Sequence, residues 1–403
     1  MWLMRNQVRP YAWGSRTAIS ELLGRPTPAP HPEAELWMGA HPGDPSVLEG
    51  FGSDGTVTLA DAVDRDPEAM LGSAVAAKFG ARLPFLLKVL AAAEPLSLQA
   101  HPSPAQAAHG FELEERLGVP LDSPDRNYKD SWHKPELVCA LTEFHALCGF
   151  RDPAVTVELL TELAVPQLDH YLSLLSGQPD RDGVRALFSS IVTVPASLLD
   201  PLLAAVLQAC VARVRAGSRF AAEYRTALEL GERYPGDPGV LASLLLNRVT
   251  LQPGQALYLD AGNLHAYLEG VGVEIMANSD NVLRGGLTPK HVDVPELMRV
   301  LDFTAGDVPV LGGDAGPDGE LVYTTPVPEF RLSRLELSDR PYRLDHDGPQ
   351  ILLVTEGTAE LVAADGAALT VPRGRSVWVP AADRGVTVHG TGVAYRAMDG
   401  LAP

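Results

Sequence analysis

Four polar side chains on strand-like segments of this sequence have the types that bind a divalent metal ion. They are Gln99, His101, Glu136 and His265. Two imidazoles and one carboxylate are a common ligand set for zinc, and they leave a position for water or a substrate. Gln99 and His101 are two residues apart, so a single strand presents both on one face. The residues alone leave two interpretations open, a metal site or four separate structural side chains.

A second set of side chains is basic. Its members are Lys88, Lys134, Arg284 and Lys290, and the glycine pair that follows Arg284 allows the backbone to approach a ligand closely. Basic residues gathered near a metal in an acidic protein indicate an anionic, phosphorylated substrate. The alternative is that each lysine extends into solvent independently of the others.

The composition bounds the class of protein. The chain has 403 residues, of which 46% are hydrophobic and 21% charged. This is ordinary globular composition, with enough chain for about two or three domains. The net charge of −19 argues against nucleic acid and anionic membrane surfaces as partners, because both require a basic surface.

Cysteine usage and the N-terminal residues bear on the compartment. Cys139, Cys148 and Cys210 are odd in number and are not spaced as a CxxC motif, so reduced thiols are expected. No basic segment followed by an apolar one is evident at the start, and no run approaches the roughly 20 apolar residues of a membrane span. We expect a cytoplasmic protein that acts as a monomer.

The first candidate ligands lie on a segment with a strand-like pattern. Residues 96–102 alternate, so Leu98 and Ala100 face one way and the polar side chains of residues 97, 99 and 101 face the other. We predict two strands within residues 83–102 and a helix over residues 104–117.

Another strand-like segment carries Lys134 and Glu136. In an extended chain these residues share a face, and Pro135 favours extended geometry at the residue before it. Residues 137–141 are apolar and are predicted to continue as a buried strand. Cys139 and Cys148 are expected to be buried thiols.

The pattern becomes helical after Asp152. Pro153 suits the first turn of a helix. Apolar residues then recur at helical spacing on one stripe, which comprises Leu199, Leu202, Leu203, Val206, Leu207 and Cys210. We predict a helical domain over residues 152–248, inserted into a β-rich chain, with no site inside it.

The β pattern resumes at residue 249 and has an echo 120 residues later. The aligned pairs are Gly254 with Gly374, Leu257 with Val377, Leu259 with Val379, and Ala261 with Ala381. In the same alignment His265 falls on Gly385. The echo predicts two related β-barrels, of which only the first keeps a ligand, joined by a connector at residues 299–320.

Taken in this order, the segments resemble those of class I mannose-6-phosphate isomerases. The resemblance is carried by residues 83–90, 99–102, 133–136, 262–267 and 284–290, with weaker support from residues 11–15 and 35–42. It implies a mainly β fold of two related cupin (jelly-roll) barrels with an inserted α-helical domain. Residues 1–151 and 249–310 would form the catalytic cupin domain, residues 152–248 the helical domain, and residues 311–403 a second cupin-like barrel without metal.

The resemblance also implies an activity. It is the interconversion of mannose 6-phosphate and fructose 6-phosphate with one zinc ion per chain, a reaction used in GDP-mannose biosynthesis. The implied zinc ligands are Gln99, His101, Glu136 and His265. The implied catalytic residues are Arg284, Lys134 and Glu274, and the implied phosphate partners are Ser97, Lys88 and Lys290. Ser103, Pro104 and Trp132 differ from the residues usual in the family, which concerns loop contacts rather than the reaction class.

The sequence leaves open the proton carrier and two other functions. The group that carries the proton is one of four candidates, namely Glu274, Lys134, a histidine or a water at the metal. A metal-containing cupin that binds or senses sugars without turning them over needs the metal ligands, but it needs neither Arg284 nor the phosphate partners. A metal-dependent oxygenase suits two histidines and one carboxylate around iron, but it has no role for the basic residues.

Overall fold

The computed structural model describes residues 1–52, 57–316 and 319–401. These residues form two antiparallel β-sheets and a layer of helices. The prediction of a β-structured chain with a helical segment is therefore confirmed at this level.

The first part of the chain alternates short strands with short helices. The predicted strands within residues 83–102, the helix that follows them and the buried strand near residue 137 are all present. The elements are β1 (Trp2–Arg5), β2 (Gln7–Arg9), α1 (Ala18–Leu22), β3 (Glu35–Met38), β4 (Val47–Leu48), α2 (Leu59–Arg65), α3 (Pro67–Leu71), α4 (Ser73–Phe79), β5 (Phe85–Ala92), β6 (Leu98–Ala100), α5 (Pro104–Arg116), β7 (Glu136–Ala140) and β8 (Phe144–Phe150).

Ser103 and Pro104 begin the helix α5. The Ser103 hydroxyl accepts a hydrogen bond from the backbone N–H of Gln106, and the Gln106 side chain accepts one from the backbone N–H of Ser103. This reciprocal cap, with proline at the first helical position, starts α5 immediately after the His101 segment.

The helical layer follows. Pro153 occupies the first turn of α6, as predicted, and Asp152 caps it. The elements are α6 (Pro153–Glu162), α7 (Asp169–Gly177), α8 (Arg181–Val192), α9 (Ala196–Arg215), α10 (Ala221–Arg233) and α11 (Gly239–Ser243). The prediction that helical structure continues to residue 248 was wrong at its end, because the next strand already begins at Leu246.

The longest helix, α9, has twenty residues and a mean hydropathy of 1.5, so by length and composition alone it is able to cross a membrane. Asp200 interrupts its apolar run, which is why a search for continuous apolar stretches passes over it. The predicted stripe on α9 is buried in the core of the helical layer, except for the more peripheral Leu207, which packs against that core. One face of the helix thus packs in the core of the helical layer.

The chain then returns to strands. The remaining elements are β9 (Leu246–Leu251), β10 (Ala256–Leu259), β11 (His265–Ala277), β12 (Leu283–Gly286), α12 (Val294–Val300), β13 (Val310–Leu311), β14 (Asp314–Ala315), β15 (Leu321–Tyr323), β16 (Arg331–Leu337), β17 (Tyr342–Arg343), β18 (Gln350–Val362), β19 (Ala368–Pro372), β20 (Ser376–Val379) and β21 (Thr387–Met398). The stretch predicted as a connector contains β13 and β14, and these two strands belong to different sheets.

The first sheet has the order β13-β10-β7-β11-β5-β3-β2, and β6, β8, β9 and β12 extend it beside the first half of β11. Residues 265–269 of β11 pair with β6 and β8, whereas residues 270–277 pair with β5 and β7. Gly270 lies at the change of partners, with φ of 128°, and a Cβ there would meet the Glu143 carbonyl oxygen at 2.7 Å. Glycine therefore permits the long strand to serve both parts of the sheet.

The second sheet has the order β14-β15-β16-β21-β18-β20-β1-β4, with β17 and β19 at its sides. Two of its strands, β1 and β4, come from the beginning of the chain, and Trp2 of β1 lies opposite Trp378 of β20. The two sheets share one apolar core, in which Leu87 and Ile275 of the first sheet belong with Ile351 of the second. The second sheet is therefore packed directly against the back of the first.

Candidate metal centre and active site

Strand pairing positions the candidate ligands relative to the long strand β11. Gln99 of β6 lies opposite His265, the first residue of β11. Glu136, the first residue of β7, lies opposite Met276 near the other end of β11. His101 immediately follows β6 and is almost completely buried, as are Glu136 and His265.

The geometry of three of these residues suits a metal ion. Nε2 of His101 lies 3.3 Å from Oε1 of Glu136, and Nε2 of His265 lies 3.5 Å from Oε2. Candidate ligand atoms of the three side chains all lie within 4.8 Å of one another. Gln99, Glu136 and His265 line one cavity, and Gln99 does so from the strand position opposite His265.

Both histidines are oriented through their second ring nitrogen. Nδ1 of His101 lies 2.7 Å from the carbonyl oxygen of Asn281, and Nδ1 of His265 lies 3.1 Å from that of Asn263. A ring that donates from Nδ1 keeps the lone pair on Nε2. Nε2 of His101 is buried and makes no hydrogen bond, so the donor set fits a cation bound at the two Nε2 atoms and the carboxylate.

The electrostatics of the site favour a neutral imidazole beside an ionised carboxylate. Burial, helped by the charges of Lys134 and His265, lowers the pKa of His101 to about 4. Burial opposes ionisation of Glu136, but the positive charge of Lys134, together with the contacts to the two histidines, outweighs it and holds the pKa of Glu136 well below its usual range. At neutral pH these are the protonation states that metal ligands require.

Lys134 and His133 leave the same segment in different directions. Nζ of Lys134 lies 3.0 Å from Oε1 of Glu136, which places an ammonium group beside the candidate metal site. Nε2 of His133 instead lies 2.8 Å from Oε1 of Glu329, a residue just ahead of β16 in the second sheet.

Lys88 forms the centre of a buried chain of polar groups. Its Nζ lies 3.2 Å from Oε2 of Glu274, its partner across β5 and β11, and 3.4 Å from Oε1 of Glu35. The Tyr267 hydroxyl donates to Oε1 of Glu274 at 2.8 Å, and Nε1 of Trp37 donates to Oε2 of Glu35 at 2.8 Å. Burial raises the pKa of Glu274, against the opposing effect of Lys88.

Arg284 and Lys290 differ from Lys88 in having no carboxylate partner among the described residues. Arg284 lies opposite Gln99 across β12 and β6 and is half-buried. Within residues 1–52, 57–316 and 319–401, no carboxylate oxygen lies within 4 Å of either cation. Burial lowers the pKa of Arg284, and burial together with the Arg284 charge lowers the pKa of Lys290. Two neighbouring cations without counter-ions form a candidate anion site.

A cavity of about 60 Å³ collects most of the predicted residues. Those lining it are Lys88, Ser97, Gln99, Lys134, Glu136, His265 and Glu274, together with Glu35, Leu90, Leu96, Ala266 and Tyr267. His101 and Arg284 adjoin these residues without lining the cavity itself. Lys290 is exposed, and the charge it senses is that of Arg284.

Sequence reasoning assigned no role to Glu35, Tyr267 or Asn281. The available signal for Glu35 was a carboxylate within the otherwise apolar strand Glu35–Met38, beside Trp37. A buried charge on such a strand requires a partner, and here that partner is Lys88. Asn281 shows no comparable local signal, because the partners of its side chain lie on a distant loop. The partner of Tyr267 is Glu274 on the same strand, β11.

Three comparisons with known proteins agree. Residues 1–153 match the family model described as phosphomannose isomerase type I, catalytic domain. The mannose-6-phosphate isomerase of Escherichia coli (strain K12) is 41% identical over 399 residues, which cover 98% of this chain and 99% of the relative.

Solved structures give the same answer. A crystal structure of a single-residue variant of phosphomannose isomerase from Salmonella typhimurium superposes with a TM-score of 0.91 and 38% identity, over 100% of both chains. A crystal structure of a zinc-bound mannose 6-phosphate isomerase superposes with a TM-score of 0.90 and 38% identity, over 99% of both chains. With sequence identity along nearly its whole length, this chain belongs to the type I phosphomannose isomerase family, the mannose-6-phosphate isomerases.

Proposed function

We propose that this protein interconverts mannose 6-phosphate and fructose 6-phosphate, with one zinc ion held by Gln99, His101, Glu136 and His265. The observation that carries the proposal is the buried group of His101, Glu136 and His265, whose ligand atoms lie within 4.8 Å of one another beside a polar cavity. When bound, zinc supplies a Lewis acid that polarises the oxygens of the sugar. The relatives named mannose-6-phosphate isomerase, and the zinc-bound structure among them, support the same assignment.

The reaction requires two proton movements. From the aldose, a base removes the proton on C2 and returns it to C1, while the O2 hydroxyl loses a proton and O1 gains one through a cis-enediol. Glu274 and Lys134 both line the cavity, and they are our candidates for these transfers. Burial raises the pKa of Glu274, which brings a carboxyl group closer to the range of a general base at neutral pH.

Arg284 is proposed to stabilise the negative charge that develops on the sugar oxygens. It lies opposite Gln99 and has a guanidinium without a carboxylate partner among the described residues. A fixed cation at such a position contributes most when water is excluded. The half-buried position of Arg284 meets this condition in part.

Ser97, Lys88 and Lys290 are proposed to bind the substrate phosphate, in unequal roles. Lys290 has no counter-ion among the described residues, and the Ser97 hydroxyl, which accepts from Gln99 at 3.3 Å, keeps its own proton to donate. Lys88 already lies between Glu35 and Glu274, so its positive charge is largely neutralised. Binding of the remote phosphate orients the carbons that react.

The two sheets are proposed to be related cupin barrels. Residues 1–151 and 249–310 contribute to the catalytic barrel, residues 152–248 to the helical domain and residues 311–403 to a second barrel without metal. The pairing of β1 and β4 with the second sheet adds the chain's first strands to that barrel. A cytoplasmic monomer is proposed, with reduced cysteines as expected of that compartment. The net charge of −19 argues against nucleic acid and anionic membranes as partners.

A coupled assay of fructose 6-phosphate formation from mannose 6-phosphate tests the proposal, with metal content measured on the same sample. We expect turnover to vanish on chelation and to return when zinc alone is restored. A protein with full metal and no turnover would instead be a metal-containing sugar-binding cupin. A site without Arg284 and Lys290 would suffice for that role, so their presence favours the isomerase.

A further inference from the structure

Asn281 lies where three segments of the candidate site meet. It is completely buried, and it does not line the cavity. We propose that Asn281 is a positioning residue that sets the zinc affinity by holding His101 and the segment leading to Glu136 in fixed relation. This inference rests on the proposed ligand set.

The side-chain amide of Asn281 ties down the loop at residues 129–132. Its Oδ1 accepts hydrogen bonds from the backbone N–H groups of Lys129, at 2.7 Å, and Asp130, at 3.2 Å. Its Nδ2 donates to the backbone carbonyl oxygens of Asp130, at 2.7 Å, and Trp132, at 2.8 Å. The amide thus uses both donors and both acceptor sites on one loop.

The backbone of Asn281 holds a candidate ligand directly. Its carbonyl oxygen lies 2.7 Å from Nδ1 of His101. This contact selects the ring tautomer with the lone pair on Nε2 and fixes the direction of the ring. One residue therefore grips the His101 ring through its main chain and the 129–132 loop through its side chain.

The 129–132 loop and the segment that contains Asn281 both lead into the site within a few residues. After Trp132 the chain passes through Lys134 to Glu136, the first residue of β7. After Asn281 the chain enters β12, which carries Arg284. A displacement of Asn281 is therefore passed to a ligand, to its neighbouring lysine and to the arginine together.

Ser279 and Asp130 reinforce the same junction. The Ser279 hydroxyl lies 2.9 Å from Oδ1 of Asp130 and 3.1 Å from the Trp132 carbonyl oxygen, and it accepts from the backbone N–H of Asn281 at 3.2 Å. The backbone N–H of Asp280 donates to Oδ2 of Asp130 at 2.9 Å. Removing the Ser279 hydroxyl weakens the junction while leaving the Asn281 amide in place.

Truncation of Asn281 removes the side-chain partner of three half-buried backbone groups, the N–H of Lys129 and the N–H and carbonyl of Asp130. It also removes one of the two partners of the Trp132 carbonyl oxygen. The loops must therefore shift to recover hydrogen bonds. Loss of groups that orient a metal ligand typically lowers metal affinity by about 10–100-fold. We therefore expect Asn281→Ala to bind zinc at least about tenfold more weakly than the wild type.

The experiment titrates the metal-free full chain with zinc against a chromogenic chelator, at a temperature where circular dichroism shows each variant folded. Asn278→Ala is the matched control. Asn278 is also buried and lies in the same loop, but its side chain donates only to the Leu83 carbonyl oxygen, at 3.3 Å. We expect wild-type zinc affinity for Asn278→Ala even where its melting temperature falls.

Equal zinc affinity of Asn281→Ala and Asn278→Ala would overturn the inference. If Asn281→Ala does not fold, Ser279→Ala decides, with zinc affinity reduced by about threefold or more expected and wild-type affinity contradicting the proposal. His101→Ala distinguishes failure of the proposed ligand set from failure of the inference about Asn281. If His101→Ala retains zinc, the proposed ligand set fails; if only the Asn281 and Ser279 variants retain it, the inference alone fails.

Discussion

The two sheets of this molecule differ in what surrounds their buried polar groups. In the first sheet, Glu136, His265 and Glu274 line a cavity of about 60 Å³. In the second sheet, Arg396 donates to Gln350 at 2.7 Å, and its Nη1 lies 3.3 Å from Oε1 of Glu320. Glu320 also accepts from the Tyr342 hydroxyl at 2.6 Å. Both sheets pair buried charges with each other, but those of the first sheet also line a cavity.

The segments of the sequence echo show a similar difference. His265 is the first residue of β11, and β11 follows β10 closely. In the second sheet β21 follows β20. There Val386 and Val388, within three residues of Gly385, are completely buried among apolar side chains. The first segment thus presents an imidazole to the candidate site, whereas the second contributes to an apolar interior.

Removal of one buried carboxylate from each sheet tests this difference most directly. Glu136→Gln removes a charged ligand and leaves its neighbour Lys134 without its 3.0 Å partner. We expect bound zinc and turnover both to fall to background, measured by elemental analysis and the coupled assay.

The matched control is Glu320→Gln. This carboxylate is as buried as Glu136 and also has a basic partner. We expect lower thermal stability, because buried pairs are costly to break, but wild-type zinc content and turnover per folded molecule. Loss of zinc in Glu320→Gln would show that the second sheet contributes to the metal site.

Arg284→Ala tests whether a cation of the first sheet acts in the reaction itself. We expect kcat to fall by about 10²–10³-fold, the usual loss for a group that stabilises a developing oxyanion, with zinc content unchanged. Arg396→Lys, in the second sheet, keeps its charge beside Glu320 and should leave kcat as it is. Equal losses of zinc and turnover in Arg284→Ala would refute a catalytic role for Arg284.

Lys290→Ala probes binding of the phosphate. A hydrogen bond to a charged group contributes about 1.5–3 kcal/mol, so kcat/KM for mannose 6-phosphate should fall by about 10–100-fold, mainly through KM. Lys78→Ala, on α4, is the control for loss of a lysine. An unchanged KM in Lys290→Ala would mean that other groups hold the phosphate.

Local sequence pattern predicted the elements near the site well. The alternation at residues 96–102 and the proline at residue 153 correspond to β6 and the start of α6. These signals are local, because side-chain period and the fixed φ of proline act within a few residues. The β pattern was predicted to resume at residue 249, three residues after β9 begins at Leu246. Residues 244–246 are all leucine, and such an apolar run suits a buried helix or a buried strand equally.

Long-range partners were beyond local pattern. Lys88 lies next to Glu274, 186 positions along the chain, and Asn281 holds a loop about 150 positions away. The membership of β1 in the second sheet is similar, because a short apolar segment does not specify the strands with which it pairs. The resemblance to a family supplied the candidate ligands, whereas the groups that orient those side chains required the tertiary structure.

Leu352→Ala, in the apolar interior of the second sheet, is expected to affect turnover least. Leu352 is completely buried among valine and leucine side chains, so its truncation should lower the free energy of unfolding by about 2–5 kcal/mol. Denaturant unfolding measures that loss. If the second sheet is a packed support, zinc affinity and kcat measured well below the unfolding transition stay at their wild-type values. A fall in either would mean that its interior packing is transmitted through the shared core of Leu87 and Ile351 to the strands that carry the ligands.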